Sequence, residues 1–237
     1  MLKIFAILIL IVGLSSCDIL QQIPGATGTT TGTGISQYEA ANGIKEALGQ
    51  GLNKTVSQLN YTDGFFKSAY KILLPPEAQK IENTLRNLGL NSLVDKAILS
   101  INRGAEDAAG KATPIFIDAI RSMTLTDAIN LVRGGDTSAT HFFREKTTSK
   151  LFAAFTPVIK TSLDNVDATK YYGDMVSRYN NFPTTIKKLN PDLASYVTVR
   201  ATDALFTLIA KEELNIRANP VARTTDLLKK VFGGLYN

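Results

Sequence analysis

The stretch "NPDLASYVTVRATDALFTLIAKEELNIRA", residues 190–218, decides the fold. Its "YVTV" has the β-branched and aromatic composition of a strand. Leu193, Val197, Ala201, Leu205 and Leu208 nevertheless recur at spacings of three and four straight across it, so a helical apolar stripe runs through without a break. Asn190-Pro191 ahead of it is a start signal, and the spacing predicts one long helix to about Ala218.

The same period extends over most of the chain. Ser36-Gln37-Tyr38-Glu39 reads as a capping box, and Ile44, Ala47, Leu48, Leu52, Val56 and Leu59 share one face of a helix to about Asn60. Pro75-Pro76 opens a second helix, with Ile81, Leu85 and Leu88 as its stripe and an end near Gly89. Leu93, Val94, Ala97, Ile98 and Ile101 begin a third, continuing through "NRGAEDAAG". Pro114 can start a fourth, "PIFIDAIRSM", and "LTDAINLV" makes a short fifth that stops at Gly134-Gly135. Asp136 is expected to cap "TSATHFFREKT". The following "SKLFAAFTPVIKTSLDNV" carries Pro157 and is expected to kink or break there. "ATKYYGDMVSRY" is another helix, "NFPTTIKKLNP" a loop, and Thr224 or Thr225 caps a last helix, "DLLKKVF". The expected fold class is all-α, a single multi-helix, bundle-like domain over residues 36–237, long enough to bury one substantial core.

The segments "NRGAEDAAGKATPIFIDAIRSM", "GGDTSATHFFREKT", "ATKYY" and "NPDLASYVTVRATDALFTLIAKEELNIRANPVARTTDLLKKVFGG" resemble, in order and spacing, the bacterial family named domain of unknown function 4197 (DUF4197). The resemblance runs from about residue 36 to the end. It implies an exported or lipid-anchored helical protein, and it brings no activity, cofactor or catalytic residue with it.

The amino terminus supports that address independently. Lys3 supplies one positive charge, residues 4–12 are unbroken apolar sequence, and Gly13-Leu14-Ser15-Ser16 brings small residues up to Cys17, the order of a secretory signal. The apolar run is too short for a permanent span, which needs about 20 residues. Leu14-Ser15-Ser16-Cys17 resembles a bacterial lipobox, so residues 1–16 are expected to be a cleaved signal peptide and Cys17 the lipid-attachment site. Two or three acyl chains hold a protein durably in a bilayer where one does so only marginally. Residues 17–35, dominated by Gly and Thr, make a flexible linker with an r.m.s. reach of about 23 Å for roughly 18 residues. The expected location is the cell envelope, membrane-anchored and facing the periplasm, with inner and outer membrane both open.

Composition narrows the function classes. Lys and Arg number 26 against 21 Asp and Glu, a formal charge of +5, and the two signs are interspersed. That pattern argues against a nucleic-acid partner. Cys17 is the only cysteine and His141 the only histidine; at helical spacing His141 is surrounded by Thr137, Ser138, Arg144 and Glu145, which form no strong metal-ligand set. There is no GxSxG elbow. No metal, cofactor or catalytic residue is therefore assigned.

The best remaining constellation is Arg103, Glu106 and Asp107, at i, i+3 and i+4 beside the small residues Gly104, Ala105, Ala108 and Ala109. Arg103 at such a helix crossing can pair with carboxylates of the fold or with an acidic group of a ligand or partner; the plainer reading is an intrahelical ion pair. Arg200 with Asp203, and Asp118 with Arg121, repeat the i, i+3 pattern. Tyr171-Tyr172 and Phe142-Phe143 read as core plus rim. These features favour a non-enzymatic binding module for an envelope protein or cell-wall component. The alternatives are a carrier or sensor for a lipid or hydrophobic ligand in an inter-helix cavity, and an enzyme of unrecognised type.

Overall fold

The computed structural model describes residues 36–230 apart from 88, 182, 184–187, 191, 224, 227 and 228. The expected signal peptide, Cys17 and the linker lie outside the described residues, as do Leu88, Pro191, Thr224 and most of the expected last helix; the side chains of Ile81 and Leu85 also lie outside what is described. Eight α-helices are described: α1 (Gln37–Asn60), α2 (Gln79–Asn87), α3 (Asn91–Ala109), α4 (Ala112–Ser122), α5 (Leu125–Arg133), α6 (Ser138–Asp164), α7 (Ala168–Asn180) and α8 (Leu193–Ala218). A 3-10 turn, Pro76–Ala78, leads into α2 and another, Pro220–Ala222, follows α8; no strand occurs among the described residues.

The capping box at the start of α1 is present: the Glu39 N–H donates to Ser36 Oγ and the Ser36 N–H to Glu39 Oε2. Thr124 and Asp127 build a second box at α5. Gly89 adopts φ +80° just past α2, the left-handed conformation that ends a helix at little cost only with glycine. α4 starts at Ala112, two residues before Pro114, which occupies the first turn where its missing N–H costs nothing.

α8 is helical through "YVTV" and forms the axis of the domain, burying Val197, Ala201, Leu205 and Phe206. Its length and apolarity alone would let it cross a membrane, but most of it is covered by the domain, as in the core helix of a soluble protein. Around it pack α6 through Leu151, Phe155, Ile159 and Leu163, α3 through Val94, Ile98, Ile101 and Ala105, and the second half of α1 through Leu52, Val56 and Leu59. Phe116 of α4 meets Phe143 and Phe206 edge-on, with ring centroids 5.2 and 6.1 Å apart. A smaller cluster joins Ala41, Ile44 and Ala47 of α1 to Met123, Ala128, Leu131, Ala139 and Ile216.

Three local expectations are corrected. "TSATHFFREKT" and the segment after it form one helix, and α6 is not broken at Pro157. An interior proline costs about 3 kcal/mol, whereas Leu151, Phe155, Ile159 and Leu163, on both sides of it, are fully buried at about 1.5–3 kcal/mol each. Packing therefore wins. Asp136 does not cap α6: the N-cap is Thr137, without a side-chain bond, and the acceptor comes from α8. Arg200 does not pair with Asp203, which faces Arg144 of α6 at 3.4 Å.

The small residues of α3 do allow a close crossing. A Cβ on Gly104 would stand 3.0 Å from Ser162 Cβ and 3.3 Å from Ile159 Cα. At the same crossing Ser100 Oγ donates to the Ser162 carbonyl at 2.6 Å and Ser162 Oγ to the Ser100 carbonyl at 3.2 Å.

Candidate functional site

Between α1 and the Pro76 turn the chain makes a non-helical excursion over residues 61–75, unassigned by the sequence reading. Asp63 sits at φ +70°, and a Cβ on Gly64 would collide with the carbonyl oxygens of Gln58 and Leu59, so this turn requires glycine. The excursion exposes backbone groups to the core, and α3 supplies their partners. Asn102 Oδ1 accepts the Ile72 N–H at 2.9 Å, while its amide donates to the carbonyls of Ile72 and Ile98 at 2.9 and 2.7 Å. Glu106 Oε1 accepts the N–H groups of Phe65 and Phe66 at 3.1 and 3.2 Å.

Arg103 completes this clamp. Its Nη1 donates to Glu106 Oε2 at 2.5 Å and its Nη2 to Asp63 Oδ1 at 2.7 Å, with the guanidinium 5.8 Å from the Phe66 ring centroid. The hydrogen bonds from Arg103 and then Lys67 hold the Asp63 carboxyl below its usual range, and those to Glu106 and then Asp63 raise the Arg103 pKa. Of the three residues singled out from the sequence, Arg103 and Glu106 are thus together. Asp107 is exposed on the rim of an open groove of about 520 Å³ with Asn60, Lys111, Ser162 and Asn165. His141 is exposed, and no group of three or more His, Cys, Asp or Glu suited to a metal ion occurs among the described residues.

A second buried charge cluster escaped the sequence reading. Glu213 of α8 accepts the N–H groups of Ala139 and Thr140, both at 2.9 Å, and the Thr140 hydroxyl at 2.8 Å, capping α6 from another helix. Arg217, one turn on, donates to Glu213 Oε1 at 2.9 Å and to the Leu131 carbonyl at 2.8 Å at the end of α5. Arg223 is also buried and donates to the carbonyls of Ile216 and Arg217 at the end of α8. The i, i+4 pair in "EELNIR" was the available signal, although the backbone it serves is far away in sequence.

Two openings matter for ligands. The apolar cavity among Ile44, Leu48, Leu52, Phe143, Ile209 and Ile216 holds only about 30 Å³, space for a water or two and not for an acyl chain. A larger cleft of about 500 Å³ lies between Pro75 and Glu77, Tyr172 of α7, Lys188 to Asn190, and Asp192, Ser195, Tyr196, Val199 and Arg200 at the start of α8. Tyr172 is only 6% exposed, and burial, with Glu77 and Tyr196 nearby, pushes its pKa up to about 12. The guanidinium of Arg200 stands 5.5 Å from the Tyr196 ring centroid. Asp192, directly after Asn190-Pro191, caps α8 by accepting the Ser195 N–H at 2.9 Å.

No curated protein and no solved structure matches the chain. A family model described as protein of unknown function (DUF4197) matches residues 34–233, a span that includes all eight helices and both charge clusters. The chain belongs to that family.

Proposed function

We propose that this protein is a lipid-anchored, non-enzymatic binding module of the bacterial cell envelope, tethered through Cys17 and engaging an envelope component at the cleft between the Pro75–Glu77 turn, α7 and the start of α8. The observation that carries this reading is how the polar groups are distributed. Arg103, Glu106, Glu213 and Arg217 bind the domain's own backbone and one another. The cleft, by contrast, presents cations, hydroxyls and carboxylates around about 500 Å³ of open space. The small size of the apolar cavity weighs against a lipid carrier. The lipobox-like Leu14-Ser15-Ser16-Cys17 supports the anchor, and the Gly/Thr linker would let the cleft stand off the bilayer.

Two measurements on the full chain in its producing cell test this. Metabolic labelling with a radioactive fatty acid should mark the protein and be abolished by Cys17→Ala; labelling that survives refutes the anchor. A photo-crosslinking residue at Val199, on the cleft, should trap a discrete envelope component, whereas one at Asp118, on an exposed face of α4, should not. Equal trapping at both positions, or none at either, refutes the site.

A further inference from the structure

We infer that the cleft is a binding site for an acidic saccharide, with Arg200 and Lys188 receiving its carboxylate and Tyr172, Ser195, Glu77 and Asp192 its hydroxyls; this rests on the binding-module reading and names the ligand class. Arg200 has no carboxylate partner among the described residues, because Asp203, the acid at the right helical spacing, is turned to Arg144. Lys188 likewise has no acidic partner there. A solvated cation is unremarkable by itself. The independent observation is Tyr172, which is only 6% exposed while its hydroxyl bonds to no described residue and is not itself fully buried, so it is reachable from outside the core. Tyr172 lines the cleft, and its hydroxyl is near enough to Glu77 and Tyr196 for both to oppose its ionisation. It remains a neutral donor and acceptor facing open space.

The mixture of groups selects the ligand. A lipid chain would leave the charges of Arg200 and Lys188 desolvated without compensation. A small multivalent anion would meet the two carboxylates as well as the cations. A neutral sugar would use the hydroxyls and carboxylates but leave the cations idle. A polyhydroxylated ring bearing one carboxylate satisfies all three sets: its acid faces the guanidinium, its hydroxyls donate to Glu77 and Asp192, and its apolar ring face can lie on the tyrosines. The volume falls within the range of small-ligand clefts, about 300–1,000 Å³.

The test uses the full chain in detergent micelles and calorimetric titration with N-acetylmuramic acid, with N-acetylglucosamine, which lacks the lactyl carboxylate, and with inorganic phosphate. The sugar acid should bind about tenfold more tightly than the neutral sugar, the factor expected of a charge-assisted hydrogen bond. Arg200→Gln should erase most of that preference and Arg200→Lys restore part of it. Tyr172→Phe should weaken both sugars several-fold with melting unchanged, and Arg144→Gln should change neither affinity. Equal affinity for the two sugars, indifference to Arg200→Gln, phosphate binding as tightly as the sugar acid, or binding of neither sugar would overturn the inference. Trapping at Val199 in cells alongside any of these failures leaves the binding-module reading standing; loss of trapping as well removes both.

Discussion

Replacing Glu106 by glutamine keeps the shape of the α3 clamp and removes its charge. Oε1 accepts two backbone N–H groups and Oε2 faces Arg103 Nη1 at 2.5 Å, so an amide in that place must turn its NH2 toward either the guanidinium or the two amides. In both orientations donors meet donors, and the loss is one charge-assisted interaction, about 1.5–3 kcal/mol. Glu106→Ala goes further, leaving the Phe65 and Phe66 N–H groups without an acceptor beside a residue that is 0% exposed, and should cost about 3–5 kcal/mol. Arg103→Ala should be mildest, about 1–2 kcal/mol, because its side chain is already 35% exposed and Glu106 keeps both amides. At about 2–4 °C per kcal/mol for a domain of this size, thermal melting by circular dichroism separates the three, with urea unfolding as a second measure. In the Gln background, Arg103→Ala also removes the opposing donor, so the double variant should lose less than the sum of the singles. A Glu106→Ala protein within about 0.5 kcal/mol of the parent would refute the clamp. A Gln variant as damaged as the Ala variant would show that the amides are not what the carboxylate serves.

Gly104→Ala should destabilise by about 1 kcal/mol or more despite alanine's better helix propensity, because the new methyl lands 3.0 Å from Ser162 Cβ and 3.3 Å from the backbone of Ile159; Gly173→Ala, with nothing within 4 Å, should stabilise by up to about 1 kcal/mol, and chemical denaturation of both variants checks the pair. The Glu39 carboxyl, held by Lys230 and Ser36, should titrate near 2 by NMR and move up in Lys230→Gln. Its pKa is depressed on folding, so its contribution to stability is present at neutral pH and fades as the pH falls from about 4 through 2; a midpoint near 4 in the parent would refute the contact. Tyr172 runs the other way: its folded pKa of about 12 exceeds the ordinary 10, so its contribution is complete below 10 and is lost as the pH rises through 12. Tyr172→Phe should therefore flatten the alkaline decline in stability, and an unchanged decline would contradict the partly buried setting of this side chain.

The features legible in the sequence were those whose causes are local. Ser36 and Glu39 are three residues apart, so their reciprocal cap could be read directly, as could the stripe of α8 that overrode the β-branched "YVTV". The features that were not legible depend on partners distant in sequence. Pro157 looked like a breaker because its cost is local, while the burial that offsets it comes from α3 and α8. Asp136 looked like a cap because Glu213, the actual acceptor, lies 74 residues beyond Ala139. Arg103 and Glu106 could be placed on one helical side, but Asp63 and the amides of residues 65 and 66 became their partners only once the excursion folded back on α3. The cleft was least visible of all, since Glu77, Tyr172, Lys188 and Arg200 come from four separate segments with no shared spacing.

Glu106 and Glu213 use one device twice. Each lies on a core helix, accepts two successive N–H groups of a distant segment, and is paired with an arginine one turn away on its own helix. A buried carboxylate is tolerable only when its charge and its lone pairs are both satisfied, and the arginine meets the first requirement while the amides meet the second. The arrangement closes on itself: removing the arginine leaves charge uncompensated, and removing the glutamate strands amides. Neither cluster can exchange its protein partners for a ligand without exposing the domain to that cost. Arg200 is under no such constraint, since its acid neighbour in the helix has been taken by Arg144, and Tyr172 holds a hydroxyl that no described residue bonds. A ligand at the cleft would thus gain the full interaction of those groups without breaking anything that holds the helices together, which is why the search for a partner belongs at the start of α8 and not at the clamp on α3.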